Sequence, residues 1–153
     1  MVGIAVWIGG RAGLALFLWQ AFIAVWQLEL TIYVEHYGLT RRYLGEGRYE
    51  PVKPHHCWNA AHTASNWLPI NLQRHSDHHC KPQRRFPLLQ TWPKEQAPQL
   101  PLGDPAMTAL AMIPPLWRRR MNPRVRAWRR KYYPDIADWA PYRAASLPLP
   151  GGS

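Results

Sequence analysis

The sequence is poor in cysteine and in acidic residues. Its 153 residues include 2 cysteines and no CxxC pair, which excludes a disulfide framework and a structural zinc ribbon. Neither GxGxxG nor GxxxxGK[ST] occurs, so a Rossmann or P-loop nucleotide site has no support. Only 9 Asp and Glu stand against 19 Lys and Arg, giving a formal net charge of +10. Such an excess is typical of proteins that bind nucleic acid or an anionic membrane surface.

The N-terminal part carries almost no charge. Arg11 is the single basic residue among the first 34, and residues 12–34 are mostly apolar. A helix of that length rises about 35 Å, enough to cross a hydrocarbon core. The pattern predicts a transmembrane helix over about residues 12–36, with a buried soluble helix as the alternative. A signal peptide is disfavoured because no small-residue cleavage site follows.

The C-terminal part is basic and rich in proline. Eight Arg and Lys residues lie within residues 118–131, and 13 of the 16 prolines lie between 82 and 150. The basic run is typical of a nucleic-acid site or of a cytoplasmic juxtamembrane cluster. The apolar stretch 107–117 is too short to span a membrane and predicts an interfacial or re-entrant segment. The prolines predict no long regular structure in this part of the chain.

Three of the seven histidines form an HxxHH pattern. A short helix is predicted over residues 71–80, between Pro69 and Pro82. With about 100° per residue, His75, His78 and His79 fall on one helix face. Converging neutral imidazoles bind Fe, Zn, Cu or Ni. The sequence therefore predicts a metal site, with a surface histidine cluster that binds no metal as the alternative.

Two sequence motifs resemble a known family. Residues 71–79, Asn-Leu-Gln-Arg-His-Ser-Asp-His-His, resemble the last histidine box of the bacterial membrane alkane hydroxylases. Residues 33–39, Tyr-Val-Glu-His-Tyr-Gly-Leu, resemble the Glu-His-Tyr-Gly signature of the same family. Shorter matches occur at residues 47–50 and 56–59, and the resemblance covers about residues 12 to 133. The nine-residue box is much more specific than HxxHH alone.

The resemblance implies a fold and a location. The expected fold is mainly α: a partial membrane helical bundle with one N-terminal transmembrane helix, a short His-bearing helix and a Pro-rich cytoplasmic C-terminal region. Residues 1–143 would form a partial C-terminal half of the hydroxylase domain. Within it, residues 55–86 form the histidine-box region and residues 105–133 a basic interfacial region, and a disordered tail follows at 144–153. The implied location is the bacterial inner membrane, with the histidine site and basic tail on the cytoplasmic side.

The resemblance also implies a chemistry. The family is a non-haem di-iron monooxygenase that hydroxylates the terminal methyl group of n-alkanes, using O2 and electrons from rubredoxin. Related enzymes hydroxylate aromatic methyl groups or fatty acyl chains. The iron ligands carried over are His36, His75, His78 and His79. The side chains expected to orient these ligands are Glu35, Asp77, Arg74, His62, Asn66 and Asn71.

Some residues near the motifs are not expected to bind metal. His55 and His56 look like ligands, but His56 matches a loop position of the family before Trp58 and Asn59, and Cys80 is expected to be a buried, inert thiol.

The family also has two earlier histidine boxes, HExxH and EHxxxHH in kind. Neither occurs here, and no histidine in the sequence is followed by Glu. The chain is therefore expected to be a C-terminal fragment that is inactive without the missing N-terminal half. Its expected partners are rubredoxin, an n-alkane and membrane lipid, and no nucleic acid. The alternative function is a basic membrane-associated or nucleic-acid-binding protein with incidental histidines.

Overall fold

A computed structural model describes residues 1–60, 62, 73–139 and 142. Asn66, Asn71 and the predicted disordered tail at 144–153 lie outside these residues. The chain divides into two compact units, residues 1–33 and 34–153. The described secondary structure is mainly helical, as predicted.

The first unit is formed by a long apolar helix, α1 (Val2–His36), whose last turn belongs to the second unit. Helical geometry breaks at Gly10, where φ is 56° and ψ is −140°. The uninterrupted part, residues 11–36, is about 39 Å long and coincides with the predicted span. Within the described residues α1 is the one helix that is long and apolar enough to cross a membrane, and its apolar window is unburied. The prediction of one candidate transmembrane helix is confirmed.

A small antiparallel hairpin follows α1. Its strands are β1 (Tyr43–Gly45) and β2 (Arg48–Tyr49). All three residues from 45 to 47 have positive φ, at 92°, 52° and 74°, and two of them are glycines, which adopt this conformation without steric cost. The polar, Gly-containing segment 41–54 therefore contains a tight β-turn between two strands.

The His-bearing helix, α2, spans His75–Cys80. The predicted start of this helix is residue 71. Residues 71 and 72 are not among the described ones, residues 73 and 74 are not helical, and the helix begins at His75. At its end the Lys81 N–H donates to the Asp77 carbonyl at 2.8 Å, immediately before Pro82. The predicted stop at this proline is therefore confirmed.

The prediction that no long regular structure exists between residues 82 and 150 is wrong. Helix α3 spans Asp104–Ala111, and helix α4 spans the 19 residues Pro114–Tyr132. Pro114 and Pro115 occupy the first turn of α4, where no backbone N–H is needed, and only Pro123 lies inside the helix. The stretch 107–117, predicted as one interfacial or re-entrant segment, is divided between the end of α3 and the start of α4.

Helix α4 is amphipathic. Its buried side chains, spaced by three or four residues, are Trp117, Met121, Val125 and Trp128. Most of its basic residues are exposed. The core of the second unit therefore lies against the apolar face of α4, and the positive charge lies on the outside.

Candidate metal centre

The segment that follows the hairpin is fastened to the end of α1. The backbone N–H of Trp58 donates to the Glu35 carbonyl at 2.7 Å, and the indole N–H of Trp58 donates to the Tyr37 carbonyl at 2.9 Å. Helix α1 leaves carbonyl groups unpaired at its C-terminus, and Trp58 satisfies two carbonyls there. Cys57 is thereby held beside His36.

Asn59 joins this segment to α2. Its side-chain amide donates to the Cys57 carbonyl at 3.0 Å and to the Ser76 hydroxyl at 2.6 Å. Its side-chain carbonyl accepts from the Ser76 N–H at 2.9 Å. Its backbone N–H and C=O bond to Pro98 and Leu100. One buried amide therefore holds together the Cys57 segment, the His-bearing helix and the chain at 98–100.

Four potential metal donors converge as a result. Their ligand atoms all lie within 4.8 Å of one another, and the residues are His36, Cys57, His75 and His79. The Cys57 sulfur is 3.7 Å from His36 Nε2, and the Nε2 atoms of His75 and His79 are 2.9 Å apart. In a tetrahedral site with ordinary metal–ligand bonds, donor atoms lie about 3.4 to 3.6 Å apart. The donor set fits a single transition-metal ion after small movements.

Glu35 is placed to orient one of these donors. Its Oε2 lies 3.3 Å from Nδ1 of His75, and both side chains are buried. A carboxylate at Nδ1 fixes the ring so that Nε2 is directed to a metal. The residue next to His36 in the sequence therefore contacts the imidazole of His75.

His78 lies at the margin of the cluster. Its ring centroid is 6.0 Å from that of His75 and 5.5 Å from that of His79, and it packs on Phe86 at 5.4 Å. Position 79 is about 40° from position 75 around the helix, whereas position 78 is about 60° away on the other side. The structure therefore brings together three of the four predicted ligands, with His78 beside them.

The other predicted orienting residues have different partners. The Asp77 carboxylate accepts from the Arg84 guanidinium at 2.6 Å and from the Gln90 N–H at 2.9 Å. Arg74 donates to the Leu89 carbonyl. These contacts fasten the segment after α2 to that helix. His62 is exposed and is not among the four convergent donors.

Cys57 is the site residue that sequence reasoning missed. It is 2% exposed, and burial, together with the nearby Glu35 and Cys80, raises the pKa of its thiol to about 12. A metal would have to displace this proton to gain the thiolate. The available signal was its position in the familial stretch 56–59, one residue after a histidine, although no spacing rule relates position 57 to position 36.

The neighbouring His56 belongs to a separate buried cluster. Its Nδ1 accepts from the Lys53 N–H at 2.9 Å, and its Nε2 lies 2.7 Å from the Tyr133 hydroxyl, which itself donates to Glu50. Burial, and then the adjacent His55, lower the pKa of His56 to about 4. Both ring nitrogens of His56 are engaged away from the metal donors.

A cavity of about 260 Å³ adjoins the donors. His36, Cys57 and His79 line one part of it, and Val52 and His56 line another. The site thus combines convergent nitrogen and sulfur donors, an orienting carboxylate and adjoining space for a small molecule. Such a group could hold a metal ion beside this space.

The chain belongs to the fatty acid desaturase family, whose family model matches residues 1–111. Within that family it is similar to alkane 1-monooxygenases. It is 49% identical to alkane 1-monooxygenase 2 of Alcanivorax borkumensis over 78% of the chain, and 47% identical to alkane 1-monooxygenase 1 of Pseudomonas aeruginosa over 80%. It is also 31% identical, over 85% of its length, to the hydroxylase component of a xylene/toluene monooxygenase of Pseudomonas putida. The chain spans 31%, 31% and 33% of these relatives, respectively.

Proposed function

We propose that the chain is part of a membrane monooxygenase that hydroxylates the terminal carbon of n-alkanes. The observation that carries this proposal is the convergence of His36, Cys57, His75 and His79 within 4.8 Å. It occurs in a chain that is 47–49% identical to alkane 1-monooxygenases over about four fifths of its length.

The proposed cofactor is non-haem iron, as a di-iron centre in the whole enzyme. His36, His75, His78 and His79 are the proposed histidine ligands, and Cys57 is the further donor within reach. When bound, iron of this kind supplies O2 activation. Glu35 lies against Nδ1 of the His75 ring, whose Nε2 is directed towards His79, and Asn59 fixes the distance between Cys57 and α2. These are tasks of the chain's own residues, and they precede any reaction.

The proposed substrate is an n-alkane rather than an aromatic methyl compound. Two relatives named for alkanes are 47–49% identical, whereas the relative named for xylene and toluene is 31% identical. Fatty acyl chains remain a candidate only because the broad family is that of fatty acid desaturases. The higher identity favours the alkane.

The proposed setting is the bacterial inner membrane, with α1 as a spanning helix and the basic region on the cytoplasmic side. Residues 1–143 would form one hydroxylase region of the whole protein, and rubredoxin would deliver the electrons. The cluster of positive charge on α4 supports a cytoplasmic position, because basic residues accumulate on that side of membrane proteins.

The test is octane hydroxylation in membranes that contain the chain together with the part of a relative that the chain does not match. Rubredoxin and its reductase supply the electrons, and 1-octanol is measured. We expect activity with the unaltered chain, and activity at background level with His79→Ala, because a proposed ligand is lost. The matched control is His62→Ala, an exposed histidine outside the donor group, which should retain activity. Equal activity of both variants would contradict the proposal.

A further inference from the structure

A groove is lined by Leu102 just before α3, by Leu110 near the end of α3 and by the first half of α4. It encloses about 550 Å³. Three leucines form its apolar part, namely Leu102, Leu110 and Leu116, and three arginines form its basic part, namely Arg119, Arg120 and Arg124. We refer to it as the Leu–Arg groove.

The three arginines of the groove are not neutralised. Within the described part of the chain, no Asp or Glu forms an ion pair with any of them. Arg124 Nη1 donates to the Arg120 carbonyl at 2.7 Å, which holds its guanidinium along the helix. Three guanidinium groups that line one groove and have no acidic partner among the described residues favour an anionic ligand, and their planar forks suit phosphate oxygens.

The apolar part of the groove is also exposed to solvent. Leu102 is 42% exposed and Leu116 is 47% exposed. The turn between α3 and α4 adds two more exposed apolar side chains, Met112 at 54% and Ile113 at 50%. Several exposed apolar side chains within one short stretch of chain are typical of a site of interaction. The groove therefore presents a positive edge and an apolar floor side by side.

We propose that the Leu–Arg groove binds an anionic phospholipid, with the phosphate against the arginines and the start of an acyl chain against the leucines. An acidic protein or a nucleic acid would satisfy the charge but leave the leucines exposed to water. An amphiphile satisfies both parts. The chain has a candidate membrane-spanning helix, so such lipids would be at hand. This proposal does not depend on the hydroxylase chemistry.

The experiment uses the full chain in a neutral detergent. Dihexanoyl phosphatidylglycerol, a soluble short-chain lipid, is titrated and its binding measured by calorimetry. Dihexanoyl phosphatidylcholine tests the apolar contribution without net charge, and glycerophosphoglycerol tests the headgroup without chains. We expect phosphatidylglycerol to bind at least about tenfold more tightly than either, since both parts of the groove must be filled.

Two triple variants separate the groove from the general charge. The first replaces its basic part, as Arg119→Gln, Arg120→Gln and Arg124→Gln. The matched control removes the same charge elsewhere on α4, as Arg118→Gln, Arg126→Gln and Arg130→Gln. Each arginine near an anionic lipid is worth about fivefold in affinity, so the groove variant should weaken phosphatidylglycerol binding about tenfold to a hundredfold. The control should change it less than about threefold.

A further variant tests the apolar part without touching charge. Leu102→Ser with Leu116→Ser alters exposed side chains, so folding is preserved, and it should remove the advantage of phosphatidylglycerol over its bare headgroup. Equal losses in the two arginine triples would overturn the proposal in favour of diffuse attraction. Displacement of the lipid by polyglutamate at equal charge concentration would overturn it in favour of an acidic protein partner.

Discussion

At the scale of single residues, the two cysteines have different surroundings. The Cys57 sulfur faces His36 Nε2 at 3.7 Å and is almost fully buried. The Cys80 sulfur lies 3.8 Å from the Val52 carbonyl and is partly exposed. Thiolate is a soft ligand that binds transition metals strongly. Cys57 is therefore the thiol expected to change the metal preference of the site, although Cys80 directly follows the donor His79.

We expect Cys57→Ser to remove the sulfur-to-metal absorption that cobalt(II) gives when a thiolate binds it. The serine keeps the size of the side chain, so the histidine donors should remain in place and cobalt should still bind, more weakly. The measurement is the absorption spectrum of the purified chain during titration with cobalt.

The control for this prediction is Cys80→Ser, which should leave the charge-transfer band unchanged. A band that disappears in the Cys80 variant and persists in the Cys57 variant would identify Cys80 as the thiolate ligand and contradict the geometry. A band absent from the unaltered chain that still binds cobalt would show a site made of nitrogen donors alone.

The residue scale also shows what periodicity can and cannot foresee. The one-face argument applies to His75 and His79 because they belong to a single helix, where 3.6 residues per turn relate their positions. Cys57 reaches the same place through the fold, by way of the Trp58 hydrogen bonds to the end of α1. No local period connects residues that meet in this manner, so sequence reasoning overlooked the cysteine.

At the scale of elements, Asn59 is the connection on which the site depends. Its side chain makes hydrogen bonds to Cys57, Ser76 and Pro98, and its backbone makes two more, to Pro98 and Leu100. Buried amide groups that lose their partners are costly, because the remaining donors and acceptors cannot reach water. Asn59 is thus a position where one substitution affects three segments.

We expect Asn59→Ala to destabilise the second unit by about 1–3 kcal/mol, since the Ser76 N–H would lose the Asn59 carbonyl and the Cys57 carbonyl would lose the shorter of its two hydrogen bonds. The measurement is the midpoint of denaturant unfolding in detergent, followed by tryptophan fluorescence. Gln99→Ala is the control. Among the described residues its side chain bonds only to the Ala97 carbonyl two residues away, and its midpoint should shift much less. Equal shifts in the two variants would contradict the claim that Asn59 joins the three segments.

Proline content was a poor guide to elements. Helix α4 contains three prolines and still runs for 19 residues, because two of them stand in its first turn. The apolar stripe at Trp117, Met121, Val125 and Trp128 was the better signal, since a period of three and four residues predicts a half-buried helix. The hairpin was missed for a different reason: its strands are two and three residues long, too short to show alternation.

At the scale of the whole second unit, Glu50 links distant parts of the chain. It accepts from the Arg42 N–H at 2.8 Å, pairs with Lys53 at 2.9 Å and accepts from the Tyr133 hydroxyl. Burial opposes ionisation of this carboxylate, but the hydrogen bonds from Arg42, Tyr133 and Lys53 outweigh it and hold its pKa at about 2. The hairpin, the turn before Cys57 and the end of α4 therefore share one ionised group.

This arrangement predicts a pH dependence of stability. Because the pKa of Glu50 in the folded chain lies below its ordinary value of 4.5, its contribution is fully present above pH 4.5 and is lost as the pH falls towards about 2. The unfolding midpoint measured between pH 6 and 2 should therefore fall steeply in this window. Glu50→Gln should flatten the fall and lower the midpoint at pH 6.

The control for the pH series is Glu46→Gln. Glu46 is exposed and pairs with Arg48 on the surface, where ion pairs contribute little. Its profile should follow that of the unaltered chain. A Glu50→Gln profile that kept the full acid sensitivity would transfer the effect to other titrating groups, among them His56, whose pKa is lowered to about 4.

Gly38 lies two residues after His36, the last residue of α1, and both its backbone conformation and its packing require glycine. Its φ is +69°, and a Cβ built there would lie 2.8 and 2.9 Å from the two methyl groups of Val125. Asparagine, which tolerates this conformation better than most residues, would still collide, and trimming position 125 to alanine would relieve the collision but leave the backbone strain. Any side chain at position 38 is therefore opposed both by the backbone conformation and by the packing of Val125, so the turn after His36 depends on glycine.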